Sequence, residues 1–182
     1  MIIGILKDIK EGENRVIATP GEVATLIGDG NVVKVQKGAG ARAGFEDEAY
    51  AAAGATLVDT AEEIYGTCEF VAKVKEFEPS EYGMLREGLI VFTCIHPAAH
   101  PEEVQVLLDK KVTAFTAEDS HRYGSPNCEA AGKQGALFGL ESMLTINGGK
   151  GKFVSGLGGA PGMKVLILGG GVVGQAALSV LH

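Results

Sequence analysis

Hydrophobic and polar positions along the chain alternate between short apolar runs and longer amphipathic stretches. Short apolar runs bounded by turn residues are typical of buried strands, and strands that alternate with helices are typical of a largely parallel sheet. Six strands are predicted: IIGIL (2–6), VVKVQ (32–36), ATLV (55–58), FVAKVK (70–75), LIVFTCI (89–95) and VTAFTAE (112–118). The pattern therefore predicts an α/β domain.

Helices are predicted between these strands. Pro20 favours a helix start, because proline is tolerated in the first turn, and this helix continues through GEVATLIGDG. A short helix is expected from Asp47 to Ala53, and Asp59 or Thr60 is a suitable cap for the helix AEEIYG. PEEVQVLLDKK (101–111) has apolar residues at 104, 107 and 108, which predicts an amphipathic helix.

The pattern changes after the sixth strand. From about Cys128 to Thr145 the chain is helical and rich in alanine and leucine, and residues 147–162 form a glycine-rich connection. MKVLILGGGVVGQAALSVLH then has the pattern of a new strand, turn and helix. Two lobes are expected: residues 1–127, and residues 128–182 with the start of a second, incomplete Rossmann lobe.

Gly169, Gly171 and Gly174 form a G-x-G-x-x-G motif between the apolar run KVLIL and the helical run VVGQAALSVL, the context of a dinucleotide-binding loop. The first glycine permits the tight turn, the second lets a pyrophosphate approach the backbone, and the third permits close packing. Val172 and Val173 stand at the helix N-terminus, whose N–H groups favour phosphate. The alternative interpretation is a tight structural turn.

The acidic residue that holds the ribose hydroxyls of NAD normally lies about 20 residues after such a loop. That position would fall beyond His182. The neighbouring parallel strands of the nucleotide crevice are also expected later. We therefore expect this chain alone to hold NAD poorly.

Composition and charge narrow the classes of partner. A hydrophobic share of 46% is sufficient for a core, while the net charge of −7 and the scattered basic residues argue against nucleic acid or an anionic membrane. No apolar run reaches the ~18 residues of a membrane helix.

Three cysteines without a C-x-x-C motif indicate a reduced, cytoplasmic protein without disulfides or structural zinc.

A metal site is not expected. His96 and His100 have the i, i+4 spacing of a helical metal pair, but Pro97 and Pro101 argue against a helix that presents both. The cysteines have no evident activating partner, so inert packing is expected for them.

Four stretches resemble the alanine dehydrogenase/transhydrogenase family over nearly the whole chain: GILKDIKEGENRVIATP, VQKGAGARAGFEDEAYAAAGA, VAKVKEFEPSEYGMLREGLIVFTCIHPAAHPE and KVLILGGGVVGQAA. Within the family, KVKE (73–76) and the first histidine of TCIHPAAHP resemble the amino-acid dehydrogenase more than the transhydrogenase. The transhydrogenase α-subunit lacks counterparts of this lysine and histidine.

The resemblance implies roles for four residues. Arg15 would bind the substrate carboxylate, Lys75 would stabilise developing negative charge, and His96 would be the general acid and base. Glu118 would lie at the rim of the site. The first three side chains are expected to converge on one hollow. Alternatively, Arg15 and Lys75 are ordinary surface charges and His96 is a structural histidine.

One segment departs from the family pattern. In NCEAAGK (127–133), Asn127, Cys128 and Lys133 replace a methionine, a serine and an arginine. Cys128, at the position of the family's serine, is a candidate cofactor-binding residue.

The implied activity is the NAD-dependent oxidative deamination of L-alanine to pyruvate and ammonium, in a homo-oligomer that is a hexamer in the family. This chain is expected to be incomplete and inactive alone. The alternatives are a non-catalytic module that binds a small carboxylate or pairs with another subunit, a related enzyme acting on another amino acid, and a transhydrogenase α-like domain.

Overall fold

The computed structural model describes residues 1–118, 120 and 125–182. The chain divides into two compact units, Met1–Glu118 and Asp119–His182.

The first unit is built on one sheet of six parallel strands in the order β3-β2-β1-β4-β5-β6. The predicted α/β class and the parallel sheet are confirmed, although three of the six strands are three residues shorter than predicted. The strands are β1 (Ile2–Ile5), β2 (Val32–Gln36), β3 (Thr56–Val58), β4 (Phe70–Ala72), β5 (Ile90–Thr93) and β6 (Thr113–Thr116).

Four helices connect these strands at the predicted places: α1 (Pro20–Gly28), α2 (Asp47–Ala52), α3 (Ala61–Thr67) and α4 (Pro101–Asp109). Helix α1 begins at Pro20, and Thr19 with Glu22 forms a capping box at its start. Of the two predicted caps of α3, Thr60 is the one in place, because its hydroxyl accepts the N–H of Glu63 at 3.2 Å.

Both faces of the sheet carry a hydrophobic core. Ile64, Tyr65 and Leu107 from α3 and α4 pack against one face, and Val23 and Tyr50 from α1 and α2 pack against the other. This arrangement agrees with the rule that parallel strands are buried between helices.

Strand β1 lies at the point where the strand order reverses, since β2 is on one side of it and β4 on the other. Ligands of open α/β sheets bind in the crevice at the carboxyl ends of the strands that flank such a point. The carboxyl ends of β1, β4, β5 and β6 lie side by side in this sheet. The loops that follow these four strands therefore supply the candidate site.

The second unit contains α5 (Pro126–Ser142) and α6 (Val172–Leu181), which pack against each other. The contact requires glycine at position 132, because a Cβ there would collide with the carbonyl of Val173 and the side chain of Ala176. Both predicted helices are confirmed, and α5 begins two residues before the predicted start. Among the described residues, no helix is long and apolar enough to cross a bilayer.

The strand predicted at KVLIL is wrong for this structure, since residues 162–170 have no strand assignment. A strand needs a neighbour that accepts its backbone hydrogen bonds, and no described segment pairs with these residues in a ladder. Leu166 and Leu168 are accordingly 80% and 88% exposed.

Candidate active site and dinucleotide loop

Arg15 lies in the loop after β1 and forms a forked ion pair with Glu13. Its Nε donates to Oε1 of Glu13 at 2.8 Å, and its Nη2 donates to Oε2 at 2.5 Å. Glu13 is only 8% exposed. Hydrogen bonding from Arg15 lowers the pKa of Glu13 to about 2, and the charge of Lys75 contributes in the same direction. The pair fixes the plane of the guanidinium at the edge of the sheet.

Lys75 follows β4, and its backbone is held from both sides. The N–H of Lys75 donates to Oδ2 of the buried Asp8 at 2.8 Å, and its carbonyl accepts the hydroxyl of Thr93 at 2.5 Å. Asp8 follows β1 and Thr93 ends β5. The position of Lys75 is therefore defined by the two strands that flank β4.

His96 follows β5 in a left-handed conformation, with φ of 48°. Such backbone is uncommon for a residue with a side chain and is enriched at functional sites. The N–H of His96 donates to Oε1 of Glu118 at 2.7 Å, and its Nδ1 lies 3.6 Å from Oε2 of Glu76. Burial alone would raise the pKa of Glu118, but hydrogen bonds that include the one from His96 lower it.

The thiol of Cys94 lies among the candidate residues. Burial raises its pKa, the carboxylate of Glu118 raises it further, and the charges of Lys75 and Arg15 act in the opposite direction. The charges of Glu118, Lys75 and Arg15 thus all act on the pKa of this one buried thiol. The fourth candidate, His96, is hydrogen-bonded to Glu118 through its backbone N–H. The structure brings the four sequence-derived candidates into one region at the carboxyl ends of β1, β4, β5 and β6.

Three acidic residues that organise this region were not among the residues predicted from the sequence. Glu13 orients Arg15, Asp8 anchors Lys75, and Glu76 lies beside His96. A carboxylate two residues before Arg15 and another directly after Lys75 were visible signals in the sequence. Their buried state was not visible, because burial depends on which loops meet at the edge of the sheet.

His96 and His100 do come together, although not as a helical pair. Their rings are 6.4 Å apart, and Nε2 of His100 lies 3.4 Å from Oε1 of Glu76. The backbone between them is a turn in which the N–H of His100 donates to the carbonyl of His96 at 3.2 Å. Within the described ranges, no group of three or more His, Cys, Asp or Glu side chains could hold a metal ion.

The glycine-rich loop of the second unit has distinct requirements at its three motif positions. Gly169 has φ of 109°, a conformation that favours glycine. A Cβ on Gly174 would collide with the carbonyl of Gly169. A Cβ on Gly171 would meet no atom within 4 Å, so this position borders open space at the start of α6. The loop geometry fits the close approach of a pyrophosphate to the second glycine.

Val172 and Val173 form the first turn of α6 and are 42% and 46% exposed. Cys128 is at the third position of α5, where its N–H donates to the hydroxyl of Ser125 at 3.4 Å. Lys133, which departs from the family pattern, forms an exposed ion pair with Glu129 at 2.5 Å. This helical pair gives Lys133 a local structural contact.

The fold is an α/β fold with a six-stranded parallel sheet, and its candidate residues follow strands at the carboxyl edge of the sheet, beside the reversal of strand order. The family described as alanine dehydrogenase/PNT, N-terminal domain, matches residues 4–127. The chain belongs to this family.

Relatives of known name agree with this assignment. The chain is 44% identical to alanine dehydrogenase of Bacillus subtilis (strain 168), a match that covers 97% of this chain and 48% of the relative. It is 39% identical to alanine dehydrogenase of Methanococcus maripaludis, with coverage of 99% and 50%. The chain thus spans about half the length of the curated relatives it matches.

Solved structures agree at the level of the fold. A structure of L-alanine dehydrogenase superposes with a TM-score of 0.87 at 36% identity, covering all of this chain and 52% of that one. The transhydrogenase from Sinorhizobium meliloti superposes with a TM-score of 0.70 at 22% identity, covering all of this chain and 55% of that one. The second likeness concerns the fold alone.

Proposed function

We propose that the chain forms the substrate half of an NAD-dependent L-alanine dehydrogenase, which converts L-alanine to pyruvate and ammonium. The observation that carries the proposal is the grouping of Arg15, Lys75, His96 and Glu118 at the carboxyl ends of neighbouring strands. The relatives named alanine dehydrogenase support it with 38–44% identity.

Each candidate side chain suits one part of this chemistry. The guanidinium of Arg15, held in plane by Glu13, binds the substrate carboxylate through two donors. The ammonium of Lys75 stabilises negative charge that develops on the substrate oxygen. The imidazole of His96 takes a proton from the attacking water and returns one as ammonia leaves. Glu118 fixes the backbone of His96.

NAD would supply the hydride acceptor. Gly169, Gly171 and Gly174 hold the pyrophosphate in this proposal, and the N–H groups at Val172 and Val173 favour its charge. Cys128, at the start of α5, is the further candidate for cofactor contact. The fit rests on the open space beside Gly171 and on the left-handed conformation of Gly169.

Two features concern assembly and compartment. Ile146, Leu166 and Leu168 are each at least 80% exposed, and large exposed apolar side chains favour association, so we include a homo-oligomer in the proposal. Within the described part of the chain, Cys68, Cys94 and Cys128 form no disulfide, which fits a reducing compartment such as the cytoplasm.

The experiment is an assay of NADH absorbance with L-alanine, on the protein at the length of its named relatives. We expect alanine-dependent NADH formation, and its loss when Lys75 or His96 is replaced by alanine. Transfer of hydride between two nucleotides without any amino acid would favour the transhydrogenase alternative. NADH formation with another amino acid but not with L-alanine would redirect the substrate assignment.

A calorimetric titration of the 182-residue chain with pyruvate tests the substrate half separately. All four residues that carry the proposal lie within Met1–Glu118, so we expect pyruvate to bind without added cofactor. Pyruvate binding with no turnover at any chain length would support the carboxylate-binding module instead.

A further inference from the structure

Glu76 is a buried carboxylate that lies between two histidines of the first unit. Its side chain is 6% exposed, while the side chains of His96 and His100 are 43% and 40% exposed. Nδ1 of His96 lies 3.6 Å from Oε2 of Glu76, and Nε2 of His100 lies 3.4 Å from Oε1. Each histidine therefore presents a different ring nitrogen to a different oxygen of the same carboxylate.

The two oxygens of Glu76 differ in their partners. Oε1 forms an ion pair with Nζ of Lys10. Oε2 is buried and forms no hydrogen bond among the described residues. Buried polar atoms in folded proteins nearly always have a partner, because an unsatisfied one costs free energy. Nδ1 of His96 is the ring nitrogen that the structure places beside this oxygen.

The backbone next to Glu76 is fixed by a second buried carboxylate. The N–H of Lys75 donates to Oδ2 of Asp8 at 2.8 Å, and the N–H of Lys10 donates to Oδ1 of Asp8 at 3.0 Å. Asp8 is 6% exposed. It thus holds the segment that carries Glu76 against the segment that carries the ion-pair partner of Glu76.

The backbone of His96 is fixed as well. Its N–H donates to Oε1 of Glu118 at 2.7 Å, and its carbonyl accepts the N–H of Ala99 at 2.8 Å and that of His100 at 3.2 Å. Because both backbones are held, rotation of the imidazole about its side-chain bonds is the movement that brings Nδ1 to hydrogen-bond distance of Oε2. Catalytic hydrogen bonds are often long before a substrate binds and shorten in the complex.

We propose that Glu76 is the positioning residue of His96: its Oε2 accepts a hydrogen bond from Nδ1–H and leaves Nε2 as the ring nitrogen that exchanges protons. The hydrogen bond at one nitrogen of a histidine decides which nitrogen carries the proton. A carboxylate accepts hydrogen bonds and does not donate them, so it selects the Nδ1–H form of the neutral ring. The inference rests on the proposed function for the role of His96, but the pairing itself does not require turnover.

The pairing also stabilises the charged form of His96 during proton transfer. When Nε2 takes a proton from the attacking water, the ring becomes an imidazolium that faces the carboxylate of Glu76. Solvent screens this attraction weakly, because the side chain of Glu76 is nearly buried. The same Nε2 then gives the proton to the departing ammonia, and the ring returns to its neutral Nδ1–H form.

The first test is the tautomer of His96, measured by imidazole ¹⁵N NMR on the 182-residue chain. Spectra at about pH 9, well above the ordinary pKa of histidine, report which nitrogen carries the proton. His96→Gln and His100→Gln assign the two signals. We expect the Nδ1–H form at His96 and the Nε2–H form at His100, because the two rings face Glu76 through different nitrogens. An Nε2–H ring at His96 would overturn the proposal.

Glu76→Gln should reverse the tautomer of His96. Lys10 and His100 face the position of Oε1 with N–H groups, so the side-chain carbonyl of glutamine takes that position. Its NH₂ group then takes the position of Oε2, where it donates to Nδ1 of His96. His96 should therefore change to the Nε2–H form. An Nδ1–H ring that persists in this variant would contradict the assigned contact.

The second test is steady-state kinetics with L-alanine and NAD, on the protein at the length of its named relatives. In Glu76→Gln we expect kcat to fall by about 100-fold or more, because Nε2 already carries a proton and cannot accept one from water. KM for L-alanine should stay close to its original value, since Arg15 and Lys75 are unchanged. An unchanged kcat would reject the positioning role.

Glu102→Gln is the matched control, since it makes the same change at an exposed carboxylate in the first turn of α4, two residues after His100. Its kcat and the tautomer of His96 should match those of the original protein. A purely structural role of Glu76 would lower the melting temperature of Glu76→Gln without reversing the tautomer. If Glu76→Gln does not fold, the tautomer of His96 in the original chain decides alone.

The two measurements separate this inference from the proposed function. An Nδ1–H ring at His96 that reverses in Glu76→Gln, without alanine-dependent NADH formation at any chain length, would support the pairing and reject the proposed function. Alanine-dependent NADH formation with an Nε2–H ring at His96 would support the proposed function and reject the pairing.

Discussion

Arg15 and Glu13 share two hydrogen bonds, from Nε at 2.8 Å and from Nη2 at 2.5 Å, at the carboxyl edge of the sheet. The carboxylate is nearly buried, while the side chain of the arginine is 49% exposed. A buried anion thus holds an accessible cation in a defined plane. Geometry of this kind suits recognition of a substrate carboxylate.

Arg15→Lys should weaken pyruvate binding by about 10- to 100-fold, because an ammonium cannot reproduce the planar fork and loses a charge-assisted hydrogen bond. Calorimetric titration of the 182-residue chain measures the change. Arg42→Lys, at an exposed arginine in the turn after β2, is the control and should bind as before. Equal affinities in the two variants would remove Arg15 from the substrate site.

Glu13→Gln should lower the free energy of unfolding near neutral pH by about 1 to 2 kcal/mol, a value that allows for the exposure of Arg15. The pKa of Glu13 lies near 2 in the fold, against an ordinary value of 4.5. Because the pKa is lowered in the fold, the ionised Glu13 contributes its full stabilisation above pH 4.5. This contribution disappears as the pH falls through about 2.

Denaturant unfolding of the original chain and of Glu13→Gln, repeated across this pH range, measures the difference. The two stabilities should converge toward the acid end. A difference that stays constant with pH would mean that the variant acts through packing and not through the ion pair.

Glu103→Gln should stabilise the fold above neutral pH. Burial raises the pKa of Glu103 to about 7, against a smaller opposing effect of the Phe77 N–H and Lys73. The folded state therefore holds a proton that the unfolded state releases near 4.5, and stability falls as the pH rises from 4.5 to 7. The carboxylates of Glu81 and Glu118 add to the cost of ionisation.

The measurement is the melting temperature of the original chain and of Glu103→Gln, at a pH below 4.5 and at a pH above 7. Glutamine cannot ionise, so the melting temperature of the variant should rise relative to that of the original chain as the pH increases. A melting-temperature difference that does not depend on pH would show that Glu103 does not titrate with the raised pKa.

Gly171→Ala and Gly174→Ala separate cofactor contact from loop structure. A methyl group on Gly171 points into open space, so this variant should keep its melting temperature and lose NADH affinity. A methyl group on Gly174 would collide with the carbonyl of Gly169, so this variant should disrupt the first turn of α6. NADH fluorescence and circular dichroism of the protein at the length of its relatives measure the two effects. Full NADH affinity in Gly171→Ala would exclude a phosphate beside that residue.

Gly4→Ala should destabilise the first unit by about 1 to 3 kcal/mol. A Cβ on this β1 residue would collide with Ile64 and meet the sulfur of Cys68, both on the buried face covered by α3. Gly28→Ala, at the end of α1 with no atom within 4 Å of its Cβ, is the control. Equal unfolding midpoints for the two variants would contradict the packing of β1 on α3.

Periodicity predicted the six strands and the helices between them, because a parallel sheet buries whole apolar runs and its helices carry amphipathic stripes. The strand predicted at KVLIL does not form, and the reason is again the pairing of strands in a sheet. Apolar character indicates that a segment can be a strand, but a strand forms only where a neighbour supplies backbone hydrogen bonds, and no described segment does so for residues 164–168.

The local sequence determined the positions of the six strands of the sheet, of the helices and of the glycine loop, and the family resemblance indicated Arg15, Lys75, His96 and Glu118. Only the tertiary structure decided that Glu13, Glu76 and Glu103 are buried carboxylates. The reason is that burial and electrostatic environment depend on the loops after several strands meeting at one edge, and those loops are far apart in sequence.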